Sequence, residues 1–269
     1  MKDGFVKVAA VTPEVRVADV VSNVEACIAA ARNVVESEGA RVVVLPELAL
    51  TGYTCEDLFW QESLICAAEE GLSSFASKTA DLDALLLVGV PVRVMGKLYN
   101  CAAVLARGVL LGLVPKLHIP TYNEFYEGRH FERGSKQATF ISYAGNTSVP
   151  FGSNVLFRCE ELPELVVAAE ICEDLWVPQP PSIEHAQAGA TLICNLSASN
   201  ELVGKSDYRR SLVTGRVRAL FVATYMQVQE LESPRRTSCI QSMIWSPRMA
   251  VCWQRESPLG KVVLFLRLM

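Results

Sequence analysis

Three apolar runs in this chain each close on a reactive side chain: VVVL-Pro runs into Glu47, GLV-Pro into Lys116, and VVAAEI into Cys172. A short, continuously apolar run with no alternation reads as a strand covered on both faces. Such strands need a second layer on each side, so the chain is directed toward a layered α/β fold rather than an open half-solvated sheet. The rest of the sequence alternates accordingly. FVKVAAV (5–11) reads as a strand. A helix over 17–37 follows, with Val20, Val24, Cys27, Ile28, Ala31 and Val35 at helical spacing. A second helix is predicted over 62–79, then strands at 85–92, 98–106 and 109–116, the last two joined by a turn at Arg107-Gly108. After an irregular stretch from Leu117 to Ala138, strands are predicted at 154–159, 164–172 and 191–197, with helices near 181–189 and from about 204. These elements predict a four-layer α-β-β-α sandwich, two mixed sheets face to face with helices outside. No repeat, low-complexity segment or internal linker interrupts them.

Composition narrows the function. The chain has 269 residues, 51% of them hydrophobic, enough for a substantial core. A net charge of −4 gives no basic field for nucleic acid. The apolar stretches are too short and too charged to span a membrane, and MKDGFVKVAAVTP lacks the apolar core of a signal peptide. A cytoplasmic protein with no nucleic-acid or membrane partner is therefore expected. Nine cysteines without a C-x-x-C pair or a Cys/His cluster argue against disulfides and metal sites. Most of them read as small buried hydrophobes, and Cys172 is the exception.

Taken singly, Glu47 could be a helix cap, Lys116 a surface charge and Cys172 a core filler. Together they sit where α/β folds gather functional groups, and charges at buried strand ends must be paired. The residue types suit amide cleavage by a thiol. Cysteine attacks, a carboxylate takes its proton and later activates water, and a fixed cation holds the tetrahedral oxyanion. His118, His130 and His185 are the only histidines. A Cys-His hydrolase using His185 is the formal rival, against the reading of all three as structural or surface residues.

PELALTGY around Glu47, VPKLHIPTYNEFYEGRHFERG from the Lys116 segment and EICEDLW around Cys172 resemble, in that order, the three signature blocks of the nitrilase (carbon-nitrogen hydrolase) superfamily. TGYTCEDLF, ICEDLWVPQPPS and NLSASNELVGKSDYRR further resemble the glutaminase domains of glutamine-dependent NAD⁺ synthetases. The resemblance implies that Glu47, Lys116 and Cys172 form a catalytic triad that cleaves the side-chain amide of glutamine through a cysteine thioester. Lys116 and the backbone N–H of Glu173 would hold the oxyanion, and Glu127 would orient Lys116. For Glu127 a structural ion pair with Arg129 or another base stands as the alternative. Tyr122, Ser199 and Lys205 match glutamine-contacting positions; a loop aromatic, a helix cap and a solvated lysine are their ordinary readings. The resemblance implies no cofactor for the amidase step. ATP and Mg²⁺ belong to a synthetase domain that would use the ammonia, and no SGG-x-DS motif or P-loop for it occurs here. Homo-oligomerisation is also implied. A stand-alone amidase on another ω-amide and an inactive fragment are the other readings.

The resemblance covers residues 1 to about 220. Residues 221–257 contain no glycine, although a sandwich needs turns there. Codons compatible with the segment from Leu220, read with the first two bases dropped, spell ICGYIYAS and then further family-like strands. We therefore expect an amidohydrolase domain over 1–220 and a frameshifted, non-matching tail over 221–269, with the frame change near 216–221. Missing strands at the end of the second sheet, an unpaired edge and weak order after 220 are the expected consequences.

Overall fold

The computed structural model describes residues 5–200, 202–220, 223–230, 251–252 and 261–267. The chain begins with β1 (Phe5–Val11), α1 (Val20–Glu38), β2 (Val42–Val44) and α2 (Glu62–Lys78). A meander of β3 (Leu85–Val94), β4 (Lys97–Ala106) and β5 (Val109–Pro115) follows, then β6 (Thr139–Tyr143), β7 (Asn146–Phe151) and β8 (Phe157–Arg158). The second half adds β9 (Val166–Ile171), α3 (Pro181–Gln187), β10 (Leu192–Ser199) and α4 (Lys205–Leu220). Last come β11 (Ala223–Glu230), β12 (Val251–Cys252) and β13 (Lys261–Arg267).

The strands form a nine-stranded sheet, ordered β12-β13-β1-β2-β3-β4-β5-β7-β6, and a four-stranded sheet, ordered β11-β10-β9-β8. Side-chain alternation assigns each layer. Val42 and Val44 of β2 join Val8, Leu87 and Val104 in a core shared with Val167, Ile171, Leu192 and Leu196 of the second sheet. Val43, between them, turns the other way, into the core that the first sheet shares with α1 and α2. Ala168 and Ile193 face outward beneath Ala186 of α3. This alternation is why an unbroken VVV run, exposed on neither face, was needed. The expected α-β-β-α sandwich is the architecture found.

α1 starts at Asp19, whose carboxylate accepts from the Ser22 N–H at 3.2 Å, and ends at Gly39 with φ +71°. Two departures from expectation have local causes. The β6–β7 hairpin was not foreseen: its turn is Ala144-Gly145, both at positive φ, without the Asn-Gly signal, and its strands are mostly exposed. Past residue 220, β11 pairs in parallel with β10 over Leu192↔Ala223 to Ser199↔Glu230, and β13 pairs antiparallel with β1. Strands therefore occur where the tail was expected to supply none. The unpaired edge and weak order expected elsewhere in the tail fall on residues outside those described.

Both sheets end at one edge in functional groups. β5 is antiparallel to β4 and β4 to β3, so β5 runs with β2 and β3, and Glu47 and Lys116 emerge together. At the opposite end of the inter-sheet seam lies a cavity of about 520 Å³, lined by residues that include Arg41, Asp83, Arg107, Phe157, Arg158 and Cys159.

Candidate active site

The structure brings Glu47, Lys116, Glu127 and Cys172 together, all buried. The Lys116 ammonium donates to Glu47 Oε1 at 2.7 Å and to Glu127 Oε1 at 2.6 Å. Asn100 Nδ2, from the middle of β4, donates to Glu47 Oε1 at 2.7 Å and reaches Glu127 Oε2 at 3.4 Å. The Ala198 N–H donates to Glu47 Oε2 at 2.7 Å, so the second sheet holds the carboxylate of the first. Tyr53 Oη donates to Glu127 Oε1 at 2.6 Å. Arg129, offered as an alternative partner for Glu127, pairs instead with Asp57 at 2.7 Å. Glu127 does form an ion pair, with Lys116 and not with Arg129, and its carboxylate is buried.

Charge accounting explains the cluster. Two carboxylates and one ammonium share a water-poor site, and a lone buried charge is expensive. Burial raises the Glu47 pKa above the usual carboxylate range; the Lys116 charge opposes this and Glu127 adds to it. Burial alone would lower the Lys116 pKa, but the Glu127 and Glu47 charges outweigh it and hold the ammonium well above ordinary lysine. A raised carboxyl beside a firmly charged lysine is a base able to accept and return a proton near neutral pH.

Backbone fit places Glu47. A Cβ on Gly89 of β3 would lie 2.1 Å from the Leu48 nitrogen and 2.4 Å from the Pro46 carbonyl oxygen, so only glycine admits the Glu47 segment here. The Gly89 N–H donates to the Pro46 carbonyl at 3.1 Å and the Leu50 N–H to the Gly89 carbonyl at 3.2 Å.

Cys172 opens a 3-10 turn directly after β9 and has φ +42°, a left-handed conformation costly for a residue with a Cβ. Asp174 fixes that turn. Its carboxylate accepts from the Ile171 N–H at 3.1 Å, the Leu117 N–H at 3.2 Å and the His118 N–H at 2.8 Å, which ties the Cys172 turn to the chain just after Lys116. His118 Nδ1 lies 2.8 Å from the same carboxylate, and His185 Nε2 lies 3.0 Å from the Ser153 carbonyl. Both rings thus serve structure, and the group whose charge acts most strongly on Cys172 is Glu47. Burial pushes the Cys172 thiol up and Glu47 adds to that, while Lys116 and a hydrogen bond with Ser197 oppose it.

The remaining sequence-predicted residues form two contacting pairs. Tyr122 Oη donates to Glu173 Oε2 at 2.8 Å, and Lys205 Nζ donates to Ser199 Oγ at 2.9 Å. Burial raises the Glu173 pKa. Lys205 also lies 5.5 Å from the Trp176 ring centroid and 5.9 Å from that of Phe125. Asn100, Tyr53 and Ser197 were missed by sequence reasoning. A lone polar residue inside an apolar strand, as in LYNCAAVL, was the available signal for Asn100.

The chain matches the carbon-nitrogen hydrolase family over residues 7–261 and belongs to it. It is 39% identical over 259 residues to the glutamine-dependent NAD(+) synthetase of Mycobacterium tuberculosis, an alignment covering 96% of this chain and 38% of that relative. Both matches run beyond residue 220, and the chain spans well under half the length of that relative. Among solved structures, a glutamine-dependent NAD(+) synthetase from Cytophaga hutchinsonii superposes with a TM-score of 0.74 at 27% identity, covering 84% of this chain and 37% of that one. An amidase from Nesterenkonia sp. shares the fold, with a TM-score of 0.65 at 16% identity over 100% of this chain and 92% of that one. Among the described residues, no helix is long and apolar enough to cross a membrane.

Proposed function

We propose that this chain hydrolyses the side-chain amide of glutamine to glutamate and ammonia, acting in the cytoplasm as the ammonia-supplying part of a glutamine-dependent NAD⁺ synthetase. The observation that carries the reading is the buried Glu47–Lys116–Glu127 cluster beside a strained Cys172. Glu47 takes the Cys172 proton and the thiolate attacks the amide carbon. The Lys116 ammonium and the Glu173 N–H hold the oxyanion, with Glu127 orienting Lys116. Glu47 returns the proton to the leaving nitrogen, the C–N bond breaks, and ammonia departs from a glutamyl thioester. Glu47 then deprotonates water, which attacks the thioester; glutamate leaves and the thiol is restored.

Glutamine is favoured over simple amides because the mouth of the site offers opposite charges to a zwitterionic α-carbon. Lys205 with Ser199 faces its carboxylate, and Glu173 with Tyr122 its ammonium. The amidase step uses no cofactor. ATP and Mg²⁺ serve the synthetase domain, which would spend the ammonia on amidating deamido-NAD⁺, and the assembly is a homo-oligomer. All of these side chains lie within 1–220. For 221–269 we propose a reading-frame change near 216–221; an intact frame in the sequenced transcript would exclude it.

Ammonia release from glutamine and from propionamide, with and without Cys172→Ala, tests the reading in this chain and in a frame-corrected version. Glutamine-selective release abolished by the substitution is expected. Equal turnover of propionamide would make the protein a general ω-amidase, and release that survives Cys172→Ala would remove the thioester mechanism.

A further inference from the structure

A second line of buried polar side chains leads away from Cys172 into the four-stranded sheet. Glu170 lies two residues before the nucleophile on β9, directly opposite Asn195 on β10. Asn195 Nδ2 donates to Glu170 Oε1 at 3.3 Å and Ser197 Oγ donates to Asn195 Oδ1 at 3.0 Å, while Ser197 stands beside the Cys172 thiol, which itself donates to the Ala198 carbonyl at 3.6 Å. The Ser182 N–H of α3 donates to Glu170 Oε2 at 3.3 Å. Glu170, Asn195 and Ser197 are each at most 1% exposed. Burial acts on Glu170 most strongly, then the Asp174 charge, opposed by hydrogen bonds from Asn195 and Ser182, and together they push it up to about 7. Among the described residues, titratable groups near it also include Cys194 of β10, which feels its charge, and His185 of α3, whose Nε2 is turned to the Ser153 carbonyl.

A relay of this kind has a direction. A serine hydroxyl carries one proton, and an amide has one donating and one accepting end. With Glu170 ionised, Asn195 must donate to it, so its carbonyl draws the Ser197 proton and leaves none for Cys172. With Glu170 protonated, its O–H can donate to the Asn195 carbonyl, the amide turns, its NH₂ donates to Ser197 Oγ, and the Ser197 O–H is free to donate to the thiolate. No proton is transferred along the line; the Cys172 proton still goes to Glu47.

We propose that Glu170 is a positioning residue for the nucleophile, whose protonated form sets Asn195 and Ser197 to stabilise the Cys172 thiolate and whose ionised form withdraws that support. The proposal rests on Cys172 as the reactive thiol, not on glutamine as the substrate. Alkylation of Cys172 by iodoacetamide, followed peptide by peptide by mass spectrometry from pH 5.5 to 9, therefore tests it without any amide substrate. In the unsubstituted chain the rate rises with pH, with a restraint that sets in as Glu170 ionises. Glu170→Gln, always neutral and able to donate, loses that restraint and at pH 8.5 reacts about tenfold faster, the worth of one hydrogen bond to a charged group. At pH 5.5, where Glu170 is protonated, Asn195→Asp, which cannot donate to Ser197, reacts about tenfold slower than the unsubstituted chain. Ser197→Ala removes the relay: its rate falls at pH 5.5, its pH restraint vanishes, and adding Glu170→Gln changes nothing further. A Glu170→Gln profile that superimposes on the parent, or equal slowing of Glu170→Gln and Asn195→Asp, overturns the proposal. If Glu170→Gln does not fold, a restraint that persists in Ser197→Ala overturns it equally.

Discussion

Glu47 and Glu170 are both buried glutamates close to one cysteine, one from each sheet, and they solve the same electrostatic problem differently. Glu47 shares the Lys116 ammonium with Glu127 and accepts further hydrogen bonds from Asn100 and Ala198. Among the described residues Glu170 accepts from Asn195 and Ser182 and has the like charge of Asp174 nearby. Burial pushes both carboxyls up to about 7, but what opposes it differs: at Glu47 the Lys116 charge does so first, at Glu170 the hydrogen bonds from Asn195 and Ser182. The difference lies in one lysine.

The strongest way to break the comparison is Lys116→Met, which makes the first site resemble the second. Two carboxylates lose their cation, so we expect kcat to fall by more than about 10³ and stability by about 3–5 kcal/mol, read by ammonia release and by denaturant titration. Unchanged stability would mean the cluster is not ionic. Gly89→Ala leaves every charge intact but forces the Glu47 segment off β3. A loss of about 2–4 kcal/mol with activity reduced about a hundredfold would separate position from charge, whereas near-parental kinetics would show that β3 can yield. Glu170→Gln tests the second site through pH. Its folded pKa lies above the ordinary value of 4.5, so the native state binds the proton more tightly than the unfolded chain. The parent therefore loses stability as pH rises from about 4.5 to 7, and Glu170→Gln should lose less, melting higher than the parent at pH 8 and alongside it at pH 4.5. Identical slopes would remove Glu170 from the account. Tyr53→Phe is the mildest change: one hydrogen bond to Glu127 is lost, and kcat should fall about five- to tenfold with KM little altered, for about 1 kcal/mol.

What the sequence disclosed follows the same division. Glu47, Lys116 and Cys172 were legible because each closes an apolar run, and a strand end is where a reactive side chain can leave the core. Asn100, Glu170 and Asn195 sit inside such runs, where one polar letter among apolar ones reads as noise until the partner across the sheet is known. Long-range pairing supplies that partner, and no local pattern encodes it. The layers were legible from unbroken VVV and alternating FVKVAAV, while the β6–β7 hairpin escaped because a mostly exposed ribbon has no burial pattern to display. The pairing of β11 and β13 was not legible for a related reason: pairing to an existing edge depends on backbone hydrogen bonds and tolerates many side chains.

Asp174 gives the sandwich a fixed end. By accepting from Ile171 on one side and Leu117 and His118 on the other, it fastens the two sheets where Glu47, Lys116 and Cys172 meet, while the seam's far end is a partly open cavity. Thermal opening should therefore be graded along the seam, widest at the cavity and smallest at Cys172. Amide exchange slower at Leu117, His118 and Ile171 than at Leu165 and Val167 is the signature of such a gradient, and uniform exchange would deny it. A protein hinged in this way can admit solvent at its base without moving Cys172.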